Sequence, residues 1–125
     1  MMQKVATDKA PAAFGPYSQA VRSGNMVFVS GQIPVDPATG SMPDDIRDQA
    51  RQAFTNLKSI LDAAGTGTDR VVRTTVYLTD LSNFDLVNKV YAEFFTDPYP
   101  SRSCVEVSKL PKGAKLEIDA IAVTE

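Results

Sequence analysis

Three side chains with chemistry to offer, Arg102, Cys104 and Glu106, alternate within Pro100-Ser101-Arg102-Ser103-Cys104-Val105-Glu106-Val107. That period of two predicts a strand with all three on one face and Ser103, Val105 and Val107 on the other. A second alternating run, Lys115-Leu116-Glu117-Ile118-Asp119-Ala120-Ile121-Ala122-Val123, carries Glu117. The stretch between them, Ser108-Lys109-Leu110-Pro111-Lys112-Gly113-Ala114, holds the proline and glycine that stop a strand and reverse the chain, so an antiparallel pair is predicted. A register in which opposing positions sum to about 219 to 221 sets Glu117 directly against Arg102 or Cys104.

That register brings a planar cation, a carboxylate and a thiol onto one surface. Spacing alone leaves two readings. A cross-strand Arg/Glu pair is ordinarily a modest stabiliser, worth roughly 0.2 to 1 kcal/mol. The same residues also make a small-molecule site, because a guanidinium grips a carboxylate through two parallel charge-assisted contacts that lysine cannot reproduce.

Composition narrows the chemistry. The chain has 125 residues, long enough for one domain (1–125) with a core that needs neither disulfide nor metal. It contains no histidine, so the commonest acid–base group near neutral pH is missing, and with one cysteine no ordinary zinc site can be assembled. Any catalysis must use carboxylates, Tyr, Cys, Arg, backbone dipoles or held water. The lone Cys104 implies a free thiol in a reducing compartment. Met1 to Asp8 has no apolar run of the signal-peptide kind, and no later stretch approaches a membrane span, so a soluble cytoplasmic protein is expected. The net charge is -2 with lysines and arginines scattered, which provides no footprint for a phosphate backbone and makes nucleic acid an unlikely partner.

The elements that must position these residues follow in order. Residues near Lys4 to Ala6 form an edge strand, and a Pro- and Gly-containing loop delivers Tyr17 to the start of the next. Tyr17 to Arg22 and Met26 to Ser30 flank the turn signal Ser23-Gly24-Asn25 and make a hairpin. Gly31 ends its second strand, either letting the backbone approach a ligand closely or fitting a bulge. Asp44 or Asp45 caps a helix running to about Ala64, with Ala50, Ala53, Phe54, Leu57, Ile60 and Leu61 inward and Gly65 closing it.

Arg70 to Thr79 is a Val- and Thr-rich strand with Val72, Thr74, Val76 and Leu78 on one face. Ser82 caps a second helix to about Phe95, with Phe84, Val87, Val90, Tyr91 and Phe94 inward and Asn88 on the margin of that stripe. The order strand, strand, strand, helix, strand, helix, strand, strand predicts an α+β fold, a mixed sheet with two helices packed on one face. The uncovered face, half apolar, calls for a symmetric oligomer.

The run Pro100 to Val107, with Leu110-Pro111-Lys112 and Lys115-Leu116-Glu117-Ile118, resembles the signature of the reactive intermediate deaminase (RidA, YjgF-type) family. Ala10-Pro11-Ala12-Ala13, Gly15-Pro16-Tyr17, Ser30-Gly31-Gln32-Ile33-Pro34, Gln49-Ala50-Arg51-Gln52 and Thr74-Thr75-Val76 resemble it in the same order, so the similarity spans essentially the whole chain. The resemblance implies a homotrimer of chorismate-mutase-like subunits with a site in each inter-subunit cleft, without metal or organic cofactor. The implied reaction is hydrolysis of enamines and imines such as 2-aminoacrylate and 2-iminobutyrate to 2-ketoacids and ammonia. The hallmark arginine falls on Arg102, with Glu117 and Tyr17 as its catalytic companions, and Ser30, Gly31, Asn88 and Cys104 as further substrate-binding positions. A shorter segment before Arg102 and Phe14 in place of an aliphatic residue depart from the pattern and bear on substrate range.

Two other functions stand beside this one. Members of the same family have been described as translation-inhibiting endoribonucleases, although this chain offers neither a histidine nor a cationic run to such chemistry. A non-catalytic binder or holdase would use the same arginine to hold small carboxylates. Cys104 as a covalent nucleophile is disfavoured, since no imidazole activates it and imine hydrolysis requires no acyl intermediate.

Overall fold

The computed structural model describes residues 1–125. Six strands form one mixed sheet: β1 (Met2–Val5), β2 (Ala20–Ser23), β3 (Met26–Gln32), β4 (Val71–Leu78), β5 (Ser101–Glu106) and β6 (Leu116–Val123). Helix α1 (Ile46–Ala63) joins β3 to β4, and α2 (Phe84–Phe94) joins β4 to β5. The predicted order of elements and the α+β class both hold. No helix is long and apolar enough to cross a membrane.

The sheet order is β1-β2-β3-β6-β4-β5, and this corrects the predicted pairing of the last two strands. β5 lies at the edge and runs parallel to β4, Thr74 opposite Arg102 and Val76 opposite Cys104. β6 runs antiparallel between β3 and β4. The physical reason lies in the connections. Hairpin loops rarely exceed about five residues, whereas residues 107–115 are long enough to carry the chain past β4. Helix α2 is the crossover that a parallel neighbour requires.

Both helices cover one face. Alternation along β6 sends Leu116, Ile118, Ala120 and Ala122 into the core and leaves Glu117, Asp119 and Ile121 on the other face. The core closes with Leu116 and Ile118 of β6 against α1, whose Phe54, Leu57, Ile60 and Leu61 are likewise fully buried. Burying a side chain of this size stabilises by about 1.5 to 3 kcal/mol.

Local chemistry sets the element ends. Asp45 caps α1 by accepting from Asp48 N at 3.3 Å, and Gly65 leaves it with φ +81°. The start of α2 departs from expectation. A short 3-10 turn, Leu81–Asn83, precedes it, and Asp80 rather than Ser82 caps that turn, accepting from Ser82 N at 3.0 Å. The Ser82 hydroxyl itself donates to Asp80 at 2.7 Å.

Two more expectations are revised. Tyr17 lies in the loop before β2, since that strand begins only at Ala20. Val72 does not face the core. A register shift between Val71 and Arg73 buries Val71 instead and leaves Val72 45% exposed.

Candidate active site

The sheet distributes the predicted site residues over two faces. Arg102 and Cys104 stand beside Thr74 and Val76, whose side chains enter the helix-covered face. Glu117 stands beside Tyr77, on the uncovered face. The expected single surface holding the Arg102 fork and the Glu117 carboxylate is therefore not formed within one chain. Their strands are also separated by β4.

On the helix side, Arg102 Nη1 donates to Asn88 Oδ1 at 2.7 Å. The guanidinium carbon lies 4.8 Å from the centre of the Tyr91 ring and 5.4 Å from that of Phe84. No carboxylate comes within 4 Å of Arg102; the ion pairs of the molecule engage Arg51 and Lys58. An arginine held by an amide and two aromatic rings keeps its charge and most of its five donors for something else. A cleft of about 420 Å³ opens beside it, lined by Asn88, Tyr91, Ala92, Tyr99, Pro100 and Arg102. Cys104 is half-buried, and burial pushes its thiol up from the ordinary value while Arg102 pulls it down. The net direction is upward, which keeps the thiol protonated and a poor nucleophile.

On the other side, Ser30 and Gly31 sit in a bulge of β3, where the register with β6 shifts between Val29 and Gln32. The bulge reorients the strand, a common device beside functional sites. Ser30 N donates to Gln19 O at 2.9 Å and its hydroxyl to Ser18 O at 2.6 Å, tying the Tyr17 loop to the strand. Gly31 lies within β3 rather than ending it, and the Glu117 side chain packs on it: a Cβ there would meet Glu117 Cδ at 2.8 Å. Of the two uses foreseen for this glycine, the structure shows the bulge, and the group that packs closely on it is the chain's own Glu117 side chain.

Glu117 is held above its ordinary carboxylate value, chiefly by burial and further by the neighbouring charge of Asp119. Asp119 in turn accepts a 2.8 Å hydrogen bond from the Tyr77 hydroxyl. Within the chain Arg102 has no part in this shift.

Gly31 and Tyr17 also line a larger cleft of about 680 Å³, walled by Phe14, Ile33, Val35 and Lys112. Its walls are fixed by buried amides. Gln19 donates to Pro11 O at 2.7 Å and accepts from Thr7 N at 2.7 Å, while Asn56 donates to Ile33 O at 3.1 Å and Val35 O at 2.9 Å. Nowhere are three His, Cys, Asp or Glu side chains gathered so that they could hold a metal ion.

Two groups result: Arg102, Asn88 and Cys104 on one side, and Tyr17, Ser30, Gly31 and Glu117 on the other. Sequence reasoning missed Phe84, Tyr91, Tyr77 and Asp119 as parts of these groups. The first two read as helix core. Asp119 carried the one available signal, its period-two match to Glu117.

The match to known proteins covers nearly the entire chain. A family model described as Endoribonuclease L-PSP matches residues 7–124. The chain is 52% identical over 126 aligned residues to 2-iminobutanoate/2-iminopropanoate deaminase of Escherichia coli, covering 98% of each protein. Among solved structures, Escherichia coli TdcF with bound serine superposes with a TM-score of 0.94 at 50% identity, covering 98% of this chain and 99% of that one. The Escherichia coli YjgF gene product gives 0.94 at 51% identity, with the same coverage. Identity at this level along the full length, joined to the same fold, leaves no room for a chance likeness: the chain belongs to the Endoribonuclease L-PSP family, the RidA and YjgF proteins among them.

Proposed function

We propose that this protein hydrolyses 2-imino acids, such as 2-iminobutyrate and the imine of 2-aminoacrylate, to 2-ketoacids and ammonia. The observation that carries this reading is Arg102, half-buried with no carboxylate partner and held at its cleft by Asn88. The names of the deaminase relatives supply the substrate class.

The chemistry needs an anchor and a proton carrier. Arg102 takes the substrate carboxylate in a two-pronged contact, which fixes the position of the adjacent C=N carbon. An enamine first gains a proton at carbon 3 and gives one up from nitrogen to become the imine. Water then adds to carbon 2, one proton of that water passes to nitrogen, and the carbinolamine collapses with loss of ammonia to leave the ketone. Glu117 serves the proton transfers. A carboxyl raised by burial moves toward the working pH, where it can both take a proton from water and return it to the leaving nitrogen. Tyr17 closes the cleft over the substrate, and the Ser30–Gly31 and Cys104 backbone holds the nitrogen or the water.

Since Arg102 and Glu117 face opposite sides of one sheet, the complete site is built between copies of the chain. The edge strand β5 and the rim of α2 bring Arg102, Asn88 and Cys104 from one subunit. The open face of the next brings Tyr17, Ser30, Gly31 and Glu117. A cyclic homotrimer repeats this heterologous contact three times, one site per interface.

The test couples an imine-generating amino-acid oxidase or dehydratase to ketoacid release. Wild-type protein should accelerate release, and Arg102→Ala should lower kcat/KM by about 10²- to 10³-fold, the loss of two charge-assisted hydrogen bonds. Unchanged turnover by the variant defeats the assignment. The family description favours one second reading, cleavage of RNA. RNA cutting by purified protein, abolished by Arg102→Ala, would put that reading first.

A further inference from the structure

We propose that Phe84 and Tyr91 are positioning residues that keep the Arg102 guanidinium unpaired and open toward its cleft. The inference rests on Arg102 being the carboxylate anchor and adds what holds that anchor ready.

An arginine needed for anion capture presents a problem. Left free, a long flexible side chain loses rotamer entropy each time it binds; paired with a carboxylate, it is held but no longer available. Aromatic faces solve both difficulties, because they attract the cation without occupying its in-plane N–H donors. Arg102 has such faces at 4.8 Å from Tyr91 and 5.4 Å from Phe84, and spends only one hydrogen bond, on Asn88.

Tyr91 is itself immobilised. Its hydroxyl pairs with Thr74 Oγ1 at 2.7 Å inside the core. Its ring meets Phe54 edge-on at 5.8 Å and Phe95 at 4.4 Å. Phe84 differs. It opens α2, is 36% exposed, and forms the outer ring of the pair. Thr74 lies opposite Arg102 in the β4–β5 register, so the residue that fixes Tyr91 stands beside the residue that Tyr91 holds. The anchor's position is thus set from the core outward.

Phe84 offers the cleaner test, since its partial exposure lets it change without opening a core cavity. Binding of 2-ketobutyrate is measured by calorimetry, and imine hydrolysis by the coupled assay, for wild type, Phe84→Leu, Phe84→Tyr and Arg102→Ala. Phe84→Leu should weaken binding and raise KM by about 5- to 10-fold with kcat within about twofold, because the fork still reaches the carboxylate but is no longer held. Phe84→Tyr should restore wild-type values, and the melting temperature of both should match wild type. Arg102→Ala should abolish binding. If Arg102→Ala abolishes binding while Phe84→Leu binds as wild type, or if Phe84→Leu lowers kcat at unchanged KM, the positioning role is wrong and the anchor stands. If Arg102→Ala binds as wild type, anchor and positioning role fall together.

Discussion

Asn88 holds Arg102 through an amide oxygen 2.7 Å from Nη1, a neutral acceptor where a carboxylate would fit as well. The difference matters for the proposed anchoring of the substrate. A carboxylate there would neutralise the guanidinium and compete with the substrate's own acid group. Asn88→Ala should weaken 2-ketobutyrate binding about tenfold, the value of one hydrogen bond to a charged group. Asn88→Asp should weaken it further, although it is nearly isosteric and keeps the acceptor. Calorimetric titration checks the order, and an Asp variant that binds better than the Ala variant would show that charge availability is not what Asn88 protects.

In the proposed mechanism Glu117 sets function against stability. Burial and Asp119 raise its pKa above the ordinary value, so ionising it costs the folded state more than the unfolded one. For a carboxyl raised in this way, the folded state binds the proton more tightly, and stability falls as pH rises through the ordinary value of 4.5 toward the raised one. In an Arg102→Ala background, where no neighbouring guanidinium offsets the burial, adding Glu117→Gln should therefore raise the melting temperature at neutral pH, with the advantage vanishing below about pH 4. As a single change, Glu117→Gln should lower imine hydrolysis by about 10²-fold, the usual contribution of a positioned acid–base group. Melting curves across pH decide the first point; a double variant less stable than Arg102→Ala at neutral pH would contradict a carboxyl raised by burial.

Gly31 is tested by a single methyl group. A Cβ at this position would stand 2.8 Å from Glu117 Cδ, closer than such contacts allow, and would drive the carboxylate off its seat. Gly31→Ala should lower kcat by about tenfold or more, as misplacement of a catalytic group by about 1 Å does, while Arg102-dependent binding of 2-ketobutyrate is kept. Wild-type kcat in this variant would mean that Glu117 works from another position.

Much of the molecule was legible in its sequence, for reasons that are local. The period of two correctly grouped Arg102 with Cys104 and separated Glu117 from Ile118, because side-chain alternation needs no knowledge of the neighbouring strand. Asp45 and Gly65 marked the ends of α1 through their own backbone chemistry. What failed was pairing. Whether residues 107–115 close a hairpin or pass β4 depends on how α2 docks, which no local pattern records. Phe84 read as core because it falls on the apolar stripe of α2, but it opens the helix, where its ring reaches Arg102 instead of the interior. Val72 was misassigned by one bulge, since a single extra residue reverses every face before it.

Subunit mixing tests the inter-subunit site most directly. Arg102→Ala and Glu117→Gln chains, each expected to keep about a hundredth of normal activity or less alone, are unfolded together, refolded as a mixture and assayed for imine hydrolysis. If each site draws its cation and its carboxylic group from different copies, random assembly of equal amounts gives about one wild-type site in four, and about a quarter of normal activity returns. A mixture as inactive as its components, with mixed oligomers confirmed by native mass spectrometry, would contradict the account.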